Sequence, residues 1–137
     1  MPVFETDFLK GLIDPNDKFH SYSTEALEKV KTKRWYVASS AFLELDLLLK
    51  NSRIPIDDRT LIFQTLKSEI PRETILIISP ETLVQALFLQ KKYPKIPKFY
   101  FDSLHLASAT MLDHQIVSSD RSFDEIEEIR RIPLESI

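Results

Sequence analysis

The chain has 137 residues, a formal net charge of −3, one glycine and no cysteine, and its length fits a single domain over residues 1–137. Disulfides, thiolate catalysis and cysteine zinc sites are excluded, and neither a glycine-rich phosphate loop nor nucleic-acid binding by bulk positive charge is expected. The apolar runs are far shorter than the roughly 20 residues that cross a bilayer, and the N-terminus lacks a secretory signal, so we expect a protein of the reducing cytoplasm without a membrane segment.

The N-terminal half is predicted to alternate short apolar strands with amphipathic helices. Val3 and Phe4 begin the first strand. Asp14-Pro15 is typical of a helix start, with Asp as the N-cap and Pro in the first turn, and Ser39 or Ser40 is predicted to cap a leucine-rich helix. In chain order we expect a strand from residue 3, helices near 8–13 and 14–33, a strand over 35–38, and helices near 39–50 and 56–69.

The C-terminal half continues the same alternation. The β-branched run from Thr74 to Ile78 predicts a buried parallel strand, and Ser79-Pro80 opens the next helix. An exposed lysine- and proline-rich loop is expected over 91–98, followed by a helix near 102–114, a strand over 115–119 and an edge strand over 131–134. Strands separated by helices imply βαβ units, so we predict an α/β fold with a mostly parallel central sheet and helices on both faces.

Acidic residues follow the predicted strands or open the helices after them: Glu5, Asp7, Glu44, Asp102 and Asp120. In a parallel sheet these positions converge on one edge, where α/β proteins bind ligands. Converging carboxylates repel one another and are costly to bury without cations. Hard oxygen ligands favour Mg²⁺ or Mn²⁺ over zinc, and a pair of such ions can activate water and stabilise an in-line phosphodiester displacement.

Three segments resemble the PIN-domain family. YFDSLHLASATMLDHQIVSSDRSFDEI is similar to the C-terminal half of the family, with Asp102 opening a helix and Ser118-Ser119-Asp120 followed by Phe123 in the Ser/Thr-x-Asp-x-x-Phe turn. VASSAFLEL resembles the capped helix that carries an acidic residue, here Glu44, and VFETDFLKGLI resembles the opening strand with its Asp-Thr-Asn/Ser turn. The resemblance spans the whole chain.

The resemblance implies a PIN-like three-layer α/β/α sandwich and a divalent-metal-dependent endoribonuclease similar to VapC-type toxins among small prokaryotic proteins. In that family the acidic residues hold the metal and carry catalysis, which assigns both roles to Glu5, Asp7, Glu44, Asp102 and Asp120. It also implies an RNA substrate, a homodimer and a small antitoxin that blocks the acidic cleft.

The first acidic position departs from the family pattern. By its spacing to Thr6 and Leu9, Glu5 stands where the family has an Asp, and Asp7 stands where an Asn or Ser is usual. The extra methylene moves a carboxylate by about 1.5 Å, so Asp7 must compensate or the metal site is weakened. The alternative function is therefore a non-catalytic PIN-fold module that binds RNA or protein. A doubly wound domain of another phosphoryl-transfer class would need glycine loops that the chain lacks.

Each candidate residue also has a purely structural interpretation. Asp120 could cap a turn, Asp102 could cap a helix, and Glu44 could be a solvated side chain. His105 lies three residues after Asp102, which invites a role as general base, but a packed helix histidine is the favoured interpretation. Asp124 is interpreted as a surface charge.

Apolar residues on two helices predict self-association. Leu45, Leu48 and Leu49 lie near one stripe, and Phe63 and Leu66 lie near another, which is more apolar surface than one domain readily buries. The lysines near 29–34 and 91–98 are interpreted as solvated faces that hold phosphates if they flank the acidic edge.

Overall fold

The computed structural model describes residues 1–95 and 99–137, and in them five short strands form one parallel sheet. The strands are β1 (Val3–Phe4), β2 (Tyr36–Ala38), β3 (Ile75–Leu76), β4 (Gln115–Val117) and β5 (Arg130–Ile132). Their order is β3-β2-β1-β4-β5, with β1 at the centre. Val3 pairs with Tyr36 on one side and Ile116 on the other.

The strands are connected mainly by α-helices. These are α1 (Thr6–Ile13), α2 (His20–Lys33), α3 (Ser39–Asn51), α4 (Ile56–Glu69), α5 (Pro80–Lys92) and α6 (Tyr100–Thr110). Short 3-10 helices cover Arg72–Thr74, Arg121–Glu125 and Leu134–Ser136. The predicted α/β fold with a mostly parallel sheet is confirmed. Within the described ranges, no helix combines the length and apolarity needed to cross a membrane.

Successive strand residues feed two separate hydrophobic clusters. Val3 and Ile116 belong to a cluster that includes residues of α5 and α6, whereas Phe4 and Val117 belong to one that includes residues of α1, α2, α3 and α4. Side chains alternate between the two faces of a strand, so each cluster covers one face of the sheet. The result is the predicted three-layer arrangement, with the sheet buried on both sides.

Two predicted elements are wrong in detail. The helix expected from Asp14 begins at His20, because Asp14 and Asp17 accept backbone N–H bonds from Asn16 and Phe19 and fold the intervening segment into turns. The strand expected over 74–78 is reduced to β3 at the edge of the sheet, where Ile77 is 76% exposed. An edge strand has one neighbour, so a β-branched run there is not buried as it is in a central strand.

Two of the predicted interface residues and the predicted 91–98 loop are also corrected. Leu45 and Leu66 are fully buried in the core and cannot form a surface for self-association. Lys91 and Lys92 belong to the last turn of α5, and the part of the predicted loop at 96–98 lies outside the described residues.

Candidate metal centre

The carboxyl ends of β2, β1 and β4 lie side by side in the sheet. Glu5 directly follows β1, and Asp120 stands three residues beyond the end of β4. Glu44 is carried by α3, which begins immediately after β2, and Asp102 lies in the first turn of α6. The parallel order therefore directs the segments after all three strands to one edge of the sheet.

Glu5 and Asp7 form the first part of the site. Glu5 is 7% exposed and caps α1, with its Oε1 accepting the backbone N–H of Asp7 at 2.7 Å. Burial, followed by the charge of the neighbouring Asp7 carboxylate, holds the pKa of the Glu5 carboxyl well above its ordinary value. Oδ2 of Asp7 accepts the backbone N–H of Ser119 at 2.6 Å, while its Oδ1 is buried and has no hydrogen-bond partner among the described residues. Asp7 thus ties α1 to the segment after β4.

Asp102 is crowded by two other acids of the site. Burial and then the charges of Glu44 and Asp120 raise the pKa of Asp102 from 3.8 to about 7. Phe99, and not Asp102, occupies the N-cap of α6, so the helix-cap interpretation of Asp102 is wrong. Ligand atoms of Glu5, Asp102 and His105 all lie within 4.8 Å of one another.

Glu44 is linked to a buried polar network. Its Oε1 accepts a hydrogen bond from the Thr6 hydroxyl and lies 2.9 Å from Nε2 of His105. Burial of Glu44 raises the pKa of its carboxyl, but the hydrogen bonds from His105 and Thr6 outweigh burial, and the pKa is lowered overall. Glu44 is therefore not the solvated side chain of its structural interpretation.

His105 is 0% exposed, which confirms its predicted packing. Packing is not its whole role, because Nδ1 lies 2.7 Å from the Ser40 hydroxyl and Nε2 faces Glu44. Both ring nitrogens have protein partners, so direct ligation of a metal by His105 would require breaking one of these bonds. Sequence reasoning did not assign Thr6 or Ser40 to this network, and the predicted capping of α3 by Ser39 or Ser40 is wrong, since Ala38 is the N-cap and no described side chain caps the helix. The available signal was the four-residue spacing of Ser40 and Glu44, which places them on one face of α3.

Asp120 combines a structural and an electrostatic role. Its Oδ1 accepts the backbone N–H of Ser122 at 2.9 Å and the Ser122 hydroxyl at 2.7 Å, so it does cap the turn as its structural interpretation states. Both bonds use the same oxygen, which leaves Oδ2 outside them. The charge of Asp120 nevertheless reaches Asp102 and raises its pKa.

Asp124 lies outside this arrangement. It forms a two-point ion pair with Arg131 of β5, whose Nε lies 2.9 Å from Oδ1. The Arg131 guanidinium lowers the pKa of Asp124 and also donates to the backbone carbonyl of Ser118 at 3.0 Å. The predicted surface role of Asp124 is confirmed, and the pair braces the segment that leads to Asp120.

Comparison with known proteins finds similarity in structure and not in sequence. No family model matches the chain, and no curated protein sequence matches it. The chain is similar to the crystal structure of VapBC2 from Rickettsia felis bound to a DNA fragment from its promoter, with 14% identity, 96% of both chains covered and a TM-score of 0.71.

Two further structures are similar over nearly the full chain. A toxin–antitoxin complex from Klebsiella pneumoniae has 16% identity and a TM-score of 0.61, covering 95% of this chain and 96% of that one. FitAB bound to an IR36 DNA fragment has 11% identity and a TM-score of 0.71, covering 98% of this chain and 95% of that one. The likeness at such identities concerns the fold: the chain has the PIN-like α/β fold that the sequence predicted.

Proposed function

We propose that the chain is a divalent-metal-dependent endoribonuclease and the toxin of a toxin–antitoxin pair. The observation that supports this most is the gathering of Glu5, Asp7, Glu44, Asp102 and Asp120 at one edge of the sheet, where burial and their mutual charge raise the pKa of Glu5 and of Asp102. Folding has brought these acids together against their repulsion, as a site for a cation requires. The proposed site of action is the cytoplasm, where RNA is found.

The donor set fits a hard divalent cation. Oδ1 of Asp7 is a buried carboxylate oxygen without a hydrogen-bond partner, which is costly unless a cation or proton approaches it. Glu44 and Asp120 each direct one oxygen to protein donors, which orients the carboxylate and leaves the second oxygen outside those bonds. Carboxylate oxygens are the preferred ligands of Mg²⁺ and Mn²⁺.

In this proposal the five acids hold the cation and the surrounding groups hold the acids. A bound Mg²⁺ or Mn²⁺ would polarise the phosphodiester and lower the pKa of an attacking water. Asp102 must lose its proton near neutral pH before it can act as a ligand. The bond from Ser119 to Asp7 and the Arg131 brace keep the segment before Asp120 in place.

The proposal is tested by cleavage of a structured RNA in Mn²⁺, with and without a chelator. Asp120→Asn should abolish cleavage and weaken Mn²⁺ binding, because one anionic ligand is lost. Its Oδ1 can still cap Ser122, so metal-free stability should stay level or rise as repulsion with Asp102 is relieved. Chelator-resistant cleavage, or full activity of Asp120→Asn, would contradict the metal mechanism.

The proposed partner is a small antitoxin protein. An open cleft of about 640 Å³ between α3 and α4 is lined by the apolar Phe42, Leu43, Ile56 and Phe63, with Asp46, Arg59, Thr60, Gln64 and Lys67 as its polar residues. Such a cleft suits the apolar face of a partner helix.

The toxin role is tested by expression in bacteria. The wild-type chain should arrest growth, and Asp120→Asn should not; continued growth with the wild-type protein would count against a toxin.

The alternative function is a non-catalytic module that binds RNA or protein. It is favoured by Glu5, whose side chain is one methylene longer than the family's Asp and whose Oε1 is used to cap α1. Absence of cleavage together with retained RNA binding would support this alternative.

A further inference from the structure

Two helices bring their polar side chains together beside the acids. Ser40 and Glu44 are four residues apart on α3, and Asp102 and His105 are three residues apart on α6. Both spacings place the members of a pair on the same helix face. His105 lies between the two residues of α3, with Nδ1 at 2.7 Å from the Ser40 hydroxyl and Nε2 at 2.9 Å from Oε1 of Glu44.

The direction of these hydrogen bonds follows from the chemistry of Glu44. An ionised carboxylate only accepts, so Nε2 of His105 carries the proton and donates it to Glu44. In a neutral imidazole Nδ1 is then the acceptor, and the Ser40 hydroxyl donates to it. The Thr6 hydroxyl is the second donor to Oε1 of Glu44, and its oxygen is 3.1 Å from Nε2.

Burial makes this arrangement stiff. Ser40 and His105 are both 0% exposed, so no water can replace either partner. The Phe101 ring stacks on the imidazole with a centroid distance of 6.5 Å and an interplanar angle of 24°. A buried and fully satisfied network of this kind has one low-energy geometry, because every alternative leaves a polar group unpaired.

We propose that His105 is a positioning residue of the metal centre, held in its tautomer by Ser40 and fixing the Glu44 carboxylate so that Oε2 is presented to the cation. This inference rests on the proposed metal dependence. Hydrogen bonds of this kind, made to a ligand and not to the metal, set the orientation of the ligand and reduce the entropy lost on binding.

A direct ligand role for His105 is the competing interpretation, because its ring lies within 4.8 Å of Glu5 and Asp102 ligand atoms. Ligation through Nε2 would break the bond to Glu44. Ligation through Nδ1 would break the bond to Ser40 and leave a fully buried hydroxyl unpaired.

The experiment measures Mn²⁺ affinity by titration calorimetry on the full chain, with thermal unfolding of each metal-free variant. The central variant is the double change Ser40→Ala with His105→Leu, which removes both partners at once and leaves no orphaned hydroxyl. We expect its Mn²⁺ affinity to fall about 10- to 100-fold with little change in metal-free unfolding. The single variant His105→Gln places an amide donor near the position of Nε2. It should therefore keep most of the Mn²⁺ affinity of the wild type.

Ser108→Ala is the matched control, because Ser108 is a buried polar residue of α6 whose hydroxyl donates to a carbonyl of its own helix, that of Leu104. It should bind Mn²⁺ as the wild type does. If the double variant does not fold, Ser40→Ala alone carries the test, with an expected loss of about three- to tenfold for one hydrogen bond.

Electron spin-echo spectroscopy of the Mn²⁺-loaded wild type should detect no directly coordinated nitrogen; strong ¹⁴N coupling would overturn the positioning role in favour of ligation. Unchanged Mn²⁺ affinity in a folded double variant would also overturn the positioning role. In that case, loss of Mn²⁺ binding in Asp102→Asn would show that the proposed metal site still stands. A wild-type chain that binds no Mn²⁺ would overturn both the proposed function and this inference.

Discussion

At the scale of single residues, the acids of the site differ in the protons they hold. Burial and neighbouring charges raise the pKa of Asp102 to about 7, whereas donors from His105 and Thr6 outweigh the effect of burial and lower the pKa of Glu44. The same edge of the sheet therefore contains one carboxyl near its titration point at neutral pH and another that is firmly ionised. Both carboxylates are partly buried, so the difference between their pKa values follows from the hydrogen-bond donors that surround each of them.

Metal-free protein should lose stability as the pH rises from 4.5 to about 7. A carboxyl group with a raised pKa binds a proton in the folded state that the unfolded chain has already released, so its contribution to folding is lost as the pH rises through the folded pKa, about 7 for Asp102. The lowered pKa of Glu44 has the opposite effect on stability, but only at pH values below the ordinary pKa of that group, 4.5. Thermal unfolding with a chelator should give a flatter pH slope for Asp102→Asn than for wild type, and equal slopes would refute the assignment.

Glu5→Asp should increase cleavage if the longer side chain displaces the cation. The shorter Asp is also a strong N-cap, so α1 should keep its first hydrogen bond to the backbone N–H of Asp7. The measurement is the cleavage rate in Mn²⁺ for both proteins at equal concentration. An inert wild type that stays inert as Glu5→Asp would favour the binding-module alternative.

At the scale of elements, α1 and α2 approach closely at the single glycine of the chain. A Cβ added at Gly11 would lie 2.3 Å from the Ser23 hydroxyl oxygen and 3.1 Å from the Phe19 carbonyl oxygen. α1 therefore packs directly against α2, and its Phe8 and Leu9 lie in the core.

Gly11→Ala should therefore destabilise the protein by about 1–3 kcal/mol through overpacking, although Ala is the better helix former. Removing the Ser23 hydroxyl in the double variant Gly11→Ala with Ser23→Ala should recover part of the loss, because that oxygen is the nearest obstacle and is buried without a partner. Urea unfolding of the single and double variants measures both effects. A Gly11→Ala protein as stable as wild type would mean that the helices move apart without cost.

At the scale of the whole molecule, α5 carries a stripe of exposed apolar side chains. Val84, Leu87 and Phe88 are 69%, 59% and 51% exposed and follow the i, i+3, i+4 pattern of one helix face. Self-association was predicted from other residues, of which Leu45 and Leu66 are core. Exposed apolar stripes of this kind mark protein interfaces.

Homodimerisation is accordingly predicted to use α5. Leu87→Glu should shift wild-type dimers to monomers in sedimentation at micromolar concentration, because a buried unpaired carboxylate opposes association. Leu61→Glu, on α4 and 63% exposed, is the matched control and should leave the dimer intact. A monomeric wild type would contradict the prediction.

The sequence by itself determined the alternation of elements and the parallel α/β sheet, and it singled out the candidate acids, because hydrophobic periodicity and strand-end position are local properties that can be read without knowing the tertiary contacts. The tertiary structure decided what each acid touches: Asp7 reaches Ser119, 112 positions along the chain, and Glu44 meets His105, 61 positions away. It also decided that Leu45 is core and that the run after Thr74 lies at an edge. Such pairings depend on how the helices pack over the sheet, which no local sequence pattern encodes. The pKa of a carboxyl group depends in turn on hydrogen-bond donors that only this packing brings to it.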